Sequence, residues 1–203
     1  MIMDNAVGSL TQQQVELIVG TILGDGYLRI VPGRRDAFLE INHSYSAFAY
    51  VEWKYEILSS ITVSAPKQRQ GNGNRVAYRF YTRQHPELTS LFRLFYHDGA
   101  KRIPVNLVIR PMSLAIWYMD DGSRCRDRDI YLNTQQYSRG DQLRLVNMLA
   151  RAFGIRSSLN RDKEYWRIRL RTADVLKFQR IIAPYIIPSM QYKLSNDPVE
   201  TSF

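Results

Sequence analysis

Apolar residues recur at helical spacing from Leu10 onward, where "LTQQQVELIVGTILGDG" sets Val15, Ile18, Val19 and Ile22 along one side of a helix. Thr11 is placed to cap its start and Gly26 stops it. Ninety-six residues later (121 − 25), "RPMSLAIWYMDDG" repeats the pattern and stops at Gly122. Each helix ends in Asp-Gly. After the first, the period shortens to two in "YLRI" and "AFLEINH"; a helical stretch from Ser46 to Ile61, strands around "KQRQ" and "RVAYRFYTR", and a helix from Pro86 to Tyr96 follow. After the second come a short basic strand, "DIYLNTQ", a helix from Gly140 to Phe153 closed by Gly154, then "SLNRD", "YWRIRLR" and a helix from Ala173 to Ala183. Both halves read helix, two strands, helix, two strands, helix, and a repeat of this length governs the whole fold. The expectation is an α+β protein of two αββαββα repeats, residues 1–106 and 107–203.

The strands are polar on one side in a particular way. In "YWRIRLR", Trp166, Ile168 and Leu170 alternate with Arg167, Arg169 and Arg171, so one face meets a core and the other carries three guanidinium groups. "VAYRFYTR" sets Arg79, Tyr81 and Arg83 against Tyr78 and Phe80. "YLRI" adds Arg29, "LEIN" adds Asn42, and "DIYLNTQ" adds Tyr131, Asn133 and Gln135. A half-buried antiparallel sheet always has a solvated face. Arg, Asn, Gln and Tyr on equivalent faces of both halves suit contact with phosphates and base edges in a DNA groove.

Composition agrees with that reading. The 203 residues are 45% hydrophobic, enough for a sizeable core. Lys and Arg number 28 against 19 acidic groups, a formal charge of +9 that favours polyanionic partners. The basic residues lie among Tyr, Asn and Gln and form no block beside an apolar helix, which favours nucleic acid over a membrane surface. A single cysteine, Cys125, excludes an internal disulfide, no apolar run approaches bilayer length, and "MIMDNAVGS" lacks the features of an export signal. An intracellular protein is expected. The three histidines show no metal-ligand spacing, His97 reads as a loop residue, and "GNG" at 71–73 reads as a hairpin turn. There is no glycine-rich phosphate loop.

The two Asp-Gly ends are the candidate chemistry. A helix C-terminus carries partial negative charge, so Asp25 and Asp121 stand where a carboxylate is disfavoured and where something positive should compensate. If the helices pack together, as Gly20, Gly24 and Ala115 would permit, both carboxylates converge at one end of the seam. With neighbouring helix-end carbonyls they form an all-oxygen site suited to Mg²⁺, which activates water and stabilises a phosphodiester leaving oxygen.

"IVGTILGDG" (Ile18 to Gly26) and "LAIWYMDDG" (Leu114 to Gly122) resemble the two copies of the nonapeptide that names the LAGLIDADG homing endonucleases. The resemblance extends to "YRFYTRQHPELTSLFRLFY", "KRIP", "LNTQQYS", "AFGI" and "PSMQYKL", segments similar to the intron-encoded branch of that family. Tyr118 to Asp121 also spells the YMDD of reverse transcriptases, but there it lies on a β-hairpin, whereas here it closes an apolar helix.

The family resemblance implies a single chain supplying both half-sites as a monomer, its two motif helices at a pseudo-twofold interface and its sheets forming a saddle over duplex DNA. It implies Mg²⁺, replaceable by Mn²⁺, bound through Asp25 and Asp121. Gly24, and Asp120 through its carbonyl, are further candidate ligands. Asp120 stands where the named motif has a small residue, and Ile116 where the first copy has Gly20. The family's basic residue after each third helix carries over to Lys101 and Lys193, positioned to stabilise the pentavalent phosphate or polarise water. Ser44 and Gln135, ending the second strand of each half, correspond to residues that order active-site water. The implied activity is a double-strand break in a long asymmetric DNA site, leaving short 3′ overhangs and initiating intron movement. Two alternatives stand beside it: a maturase binding host-intron RNA, and a DNA-binding regulator that does not cut. The presence of both aspartates and both lysines favours cutting.

Overall fold

The computed structural model describes residues 9–71, 73–126 and 129–194. In chain order they form α1 (Gln12–Leu23), β1 (Tyr27–Arg29), β2 (Phe38–Ser44), α2 (Phe48–Leu58), β3 (Lys67–Gln70), β4 (Val76–Tyr81) and α3 (Pro86–Phe95). A two-stranded ribbon, β5 (Tyr96–His97) with β6 (Ala100–Lys101), follows. Then come α4 (Pro111–Asp121), β7 (Gly122–Arg126), β8 (Asp129–Leu132), α5 (Arg139–Phe153), β9 (Ser157–Asp162), β10 (Tyr165–Leu170) and α6 (Val175–Ile182). The strands make two antiparallel sheets of matching order, β1-β2-β4-β3 and β7-β8-β10-β9. The fold is α+β, with two αββαββα units as the pattern predicts. His97 is not in a loop as expected: it ends β5, and the turn after it uses the left-handed conformations of Asp98 and Gly99. No helix among the described residues is long and apolar enough to cross a membrane.

Strand register fixes which residues of the two units correspond. Tyr27 and Ser123, each two residues beyond a helix-ending aspartate, pair with Glu40 and Tyr131. Asn42 therefore matches Asn133, an offset of 91 (131 − 40). In the next strand Phe80 pairs with Ile41 and Ile168 with Leu132, so Arg79 matches Arg167 and Tyr81 matches Arg169. One face of each sheet is core: Leu28, Leu39, Ile41 and Phe80 in the first, Ile130, Leu132, Ile168 and Leu170 in the second, all buried. The helices cover these faces.

Four residues assigned to strand faces lie elsewhere. β4 ends at Tyr81, and Arg83 is held off the sheet because its N–H donates to the Ile61 carbonyl and its Nε to that of Thr62. Arg171 likewise follows the end of β10, its N–H donating to the Arg156 carbonyl. β8 ends at Leu132; the N–H of Asn133 donates to the Asp121 carbonyl in continuation of the β7–β8 register, which sets Asn133 beside the end of α4, and Gln135 lies in the turn that follows. Arg29, Asn42, Arg79, Tyr81, Tyr131, Arg167 and Arg169 are on strands as expected or, for Asn42, near a strand end.

The centre of the molecule is the seam between α1 and α4. The sequence of each helix is apolar on all sides over its last turns, and correspondingly Leu17 to Leu23 and Met112 to Met119 are all buried. Thr11 caps α1 as expected, its Oγ1 accepting from the Gln14 N–H while the Gln14 side chain accepts from the Thr11 N–H. Across the seam, symmetry-related positions meet, one glycine against one larger residue. A Cβ on Gly20 would lie 2.6 Å from the Ser113 carbonyl oxygen and 2.8 Å from the Ile116 Cβ. A Cβ on Gly24 would lie 2.4 Å from the Asp120 Cβ. Ser113 reinforces the contact, its Oγ donating to the Glu16 carbonyl at 2.8 Å. The departures at Ile116 and Asp120 are thus accommodated by glycines on the opposing helix.

Gly20→Val should lower stability by roughly 1–3 kcal/mol, because the overlap is with backbone that cannot yield cheaply. Urea unfolding checks this, and an unchanged midpoint would show that the seam tolerates side chains.

Candidate active site

The seam delivers the two Asp-Gly ends to one cleft. Gly24, Asp25, Gly26, Lys101, Asp121, Asn133, Gln135 and Gln136 line a cavity of about 470 Å³, with Tyr27, Tyr96 and Gly99 completing its wall. The Asp25 side chain is half exposed. Asp121 is more enclosed, and burial, reinforced by the negative charges of Asp25 and Asp120, pushes its carboxyl up to about 7. The Gln136 Nε2 donates to its Oδ2 at 3.3 Å. A larger cavity of about 770 Å³, bordered by Leu91, Phe95, Ile103 and Val108, contains only one carboxylate and that one is already paired with arginine.

The compensating positive charge expected at each helix end is a lysine. The Lys101 Nζ donates to the carbonyls of Ile22 (2.8 Å), Gly24 (3.1 Å) and Gly26 (3.0 Å). The Lys193 Nζ does the same at the end of α4, donating to the carbonyls of Tyr118 (3.3 Å), Met119 and Gly122 (3.1 Å). Each ammonium spends its three N–H groups on the carbonyls a helix C-terminus leaves over. Burial holds the Lys101 amine down at about 8 and lowers Lys193 as well, while the neighbouring aspartates pull both back up. Tyr137 of the second unit adds a hydroxyl donated to the Leu23 carbonyl at 3.0 Å.

Asp120 is employed differently from Asp121. Its side chain is fully buried, as is that of Lys54 on α2, and the Lys54 Nζ donates to both carboxylate oxygens at 2.8 and 3.2 Å. The Tyr50 hydroxyl also donates to Oδ1 at 2.8 Å, and burial next to this carboxylate raises the phenol far above its ordinary range. Beside them His43 places Nε2 3.4 Å from the Lys54 Nζ and Nδ1 3.6 Å from the Asp25 Oδ2. Burial, then Lys54, hold the imidazole down to about 3, so it is neutral.

Asp25, His43 and Asp120 bring candidate ligand atoms within 4.8 Å of one another. The donor chemistry nevertheless favours a cation on the Asp25 and Asp121 side. There the carboxylates face an open cleft and the Gly24 carbonyl keeps a second lone pair, whereas at Asp120 both carboxylate oxygens already accept from the Lys54 Nζ inside the core. For Asp120 the expected ligand atom is its carbonyl oxygen; its carboxylate is taken up by Lys54 and Tyr50. Ser44, the counterpart of Gln135, has its Oγ accepting from Ser46, while Gln135 does reach the cleft.

The polar sheet faces carry paired charges. Arg169 meets Asp129 at 2.6 Å, Arg167 meets Asp162 at 3.7 Å, and Arg79 meets Glu40 at 3.9 Å. Arg167 also lies over the Tyr131 ring at 4.1 Å and Arg79 over Tyr81 at 5.5 Å. The guanidinium groups are therefore held in place before any ligand arrives. Sequence reasoning missed His43, Tyr50, Lys54 and Gln136. Only Lys54 had a visible signal, as a lone lysine among Val51, Leu58 and other apolar positions of α2.

Residues 15–178 match the LAGLIDADG DNA endonuclease family. The chain is 35% identical over 205 residues to Protein RecA of Mycobacterium gastri, a match covering 91% of this chain and 48% of that protein, so it spans about half the length of that relative. It is 29% identical over 199 residues to probable intron-encoded endonuclease 1 of Wickerhamomyces canadensis, covering 92% and 85%. Among solved structures, the homing endonuclease I-WcaI bound to its DNA recognition sequence superimposes with a TM-score of 0.84 at 28% identity, covering 92% of this chain and 88% of that one.

The Lys54–Asp120 pair gives a direct stability test. Lys54→Met should cost about 3–5 kcal/mol by stranding a buried carboxylate, and Lys54→Met with Asp120→Leu should recover most of that loss. Chemical unfolding of both variants checks it; additive losses would mean that the two side chains do not act as a pair.

Proposed function

Because the chain belongs to the LAGLIDADG DNA endonuclease family, we propose that it is a site-specific endonuclease that makes a metal-dependent double-strand break in a long, asymmetric DNA target, the break that begins intron homing. The observation that carries this reading is the arrival of Asp25 and Asp121 in one cleft at the ends of two packed helices. The two repeats, divided between residues 106 and 107, would each supply half of the site, so a monomer suffices.

Mg²⁺, with Mn²⁺ able to substitute, fits the oxygen donors of Asp25, Asp121 and the Gly24 carbonyl, and when bound supplies an activated water and charge neutralisation at the phosphodiester. The chain's own residues supply the rest. Lys101 and Lys193 neutralise the helix ends, which allows two carboxylates to stand there, and bring positive charge next to the reacting phosphate. Gln135 and Gln136 offer amide groups to order water in the cleft. Arg79, Arg167 and Arg169, held by carboxylates and tyrosine rings, would exchange those partners for phosphates and base edges, with Arg29, Asn42, Tyr81 and Tyr131 on the same faces. Arg83, Arg171 and Asn133 would contact DNA from the strand ends. The I-WcaI relative is a DNA-bound endonuclease of the same fold, which supports duplex DNA as the partner.

The test is incubation of a randomised duplex library with the protein and Mg²⁺, followed by sequencing of the cut ends. One long motif with 3′ overhangs of constant length is expected. Asp25→Asn and Asp121→Asn should abolish the breaks while DNA binding persists; normal cutting by either variant would sink the assignment. Arg169→Ala should weaken binding by roughly 1–3 kcal/mol with relaxed preference at one base pair. In a binding assay across sequences, a uniform loss would mark Arg169 as a phosphate contact instead.

A further inference from the structure

The two half-sites are not equivalent, and the difference is a three-residue chain on one side. Asp120, Lys54 and His43 join end to end and stop at Asp25. Strand register gives their counterparts in the other unit. Asp120 corresponds to Gly24 (120 − 96) and His43 to Thr134 (43 + 91). Lys54, 12 residues beyond Asn42, corresponds to Leu145, 12 beyond Asn133. Burial agrees with this alignment, since Tyr50, Val51, Lys54 and Leu58 are buried in α2 and Asp141, Gln142, Leu145 and Leu149 in α5. Glycine, threonine and leucine cannot build such a chain, so Asp121 has none behind it.

The direction of the chain follows from donor chemistry. A lysine ammonium donates and cannot accept. Two of its contacts are the carboxylate oxygens of Asp120, and the third is the His43 Nε2 at 3.4 Å. Although the Asp120 Oδ1 also lies 3.8 Å from that nitrogen, the nearer ammonium assigns it as the acceptor, which leaves the ring hydrogen on Nδ1, the atom facing the Asp25 Oδ2 at 3.6 Å. This separation is longer than a direct hydrogen bond. A donor at Oδ2 orients the carboxylate and leaves its other oxygen for a cation.

Resting on the endonuclease reading, we propose that His43 is a positioning residue for Asp25, with its tautomer set by Lys54 and Asp120, and that this device serves one of the two DNA strands only. The extra aspartate of the second motif thus acts on the first motif's aspartate, across the seam. Its work is indirect, since neither Asp120 nor Lys54 reaches the cleft.

The experiment follows cutting of each strand separately, using a duplex labelled on both strands and carrying the selected target, with Mg²⁺ varied. His43→Ala should slow one strand by about 10–100-fold, raise the Mg²⁺ needed for that cut and accumulate nicked DNA, while the other strand is cut at the wild-type rate. His43→Gln, which keeps an N–H donor, should restore part of the slow cut. Equal slowing of both strands, or of neither, would overturn the proposal, because a merely structural loss has no strand preference. The nitrogen resonances of the His43 ring give an independent reading that requires no cleavage, with the signal assigned by its loss in His43→Gln. Hydrogen on Nδ1 is expected, and hydrogen on Nε2 would overturn the tautomer assignment. If the wild-type protein fails to cut any DNA, the endonuclease reading falls, and with it the strand claim, while the ring tautomer still decides whether the chain of contacts exists.

Discussion

Two helices that touch through glycine fix the position of every chemical group in the cleft. Gly20 and Gly24 let α1 reach α4 at backbone distance, where Ile116 and Asp120 fill the space a side chain would have occupied. Because these are symmetry-related positions, the seam stays close to twofold in backbone while its side chains are unlike. Packing of this kind leaves little freedom to slide, so the helix ends, and the aspartates on them, are set relative to each other by the core itself.

An electrostatic problem comes with that geometry. Two helix C-termini side by side, each continued by a carboxylate, gather negative charge into a small volume; burial first, and then the charges of Asp25 and Asp120, push the Asp121 carboxyl up to about 7. The protein answers it twice over. Lys101 and Lys193 cap the carbonyls, and Lys54 takes up the further charge of Asp120 inside the core. What remains is the cleft-facing pair of Asp25 and Asp121, the negative charge on which the proposed cation site rests.

Much of this could be read from the chain. The 96-residue repeat of an apolar helix ending in Asp-Gly, and the shift from period 3.6 to period 2 behind it, are local patterns, and they located Asp25, Asp121 and the seam glycines. Lys101 and Lys193 were placed by resemblance, but their bonding to helix carbonyls depends on how a ribbon and a 3₁₀ turn fold back, which spacing does not encode. Where strands end was also hidden: Arg83, Arg171, Asn133 and Gln135 continue the alternation in sequence, yet each lies beyond the last residue of its strand. The role of His43, and what the lone lysine of α2 is for, were hidden for a different reason. Each is ordinary alone, and their meaning arises from Asp120 on another helix 66 residues from Lys54.

Anomalous diffraction from crystals grown with Mn²⁺ and target DNA would locate the cation directly. The account predicts density within coordination distance of Asp25 and Asp121, with the Asp120 carboxylate still bonded to Lys54. A cation seated between His43 and Asp120, with Lys54 displaced, would contradict it.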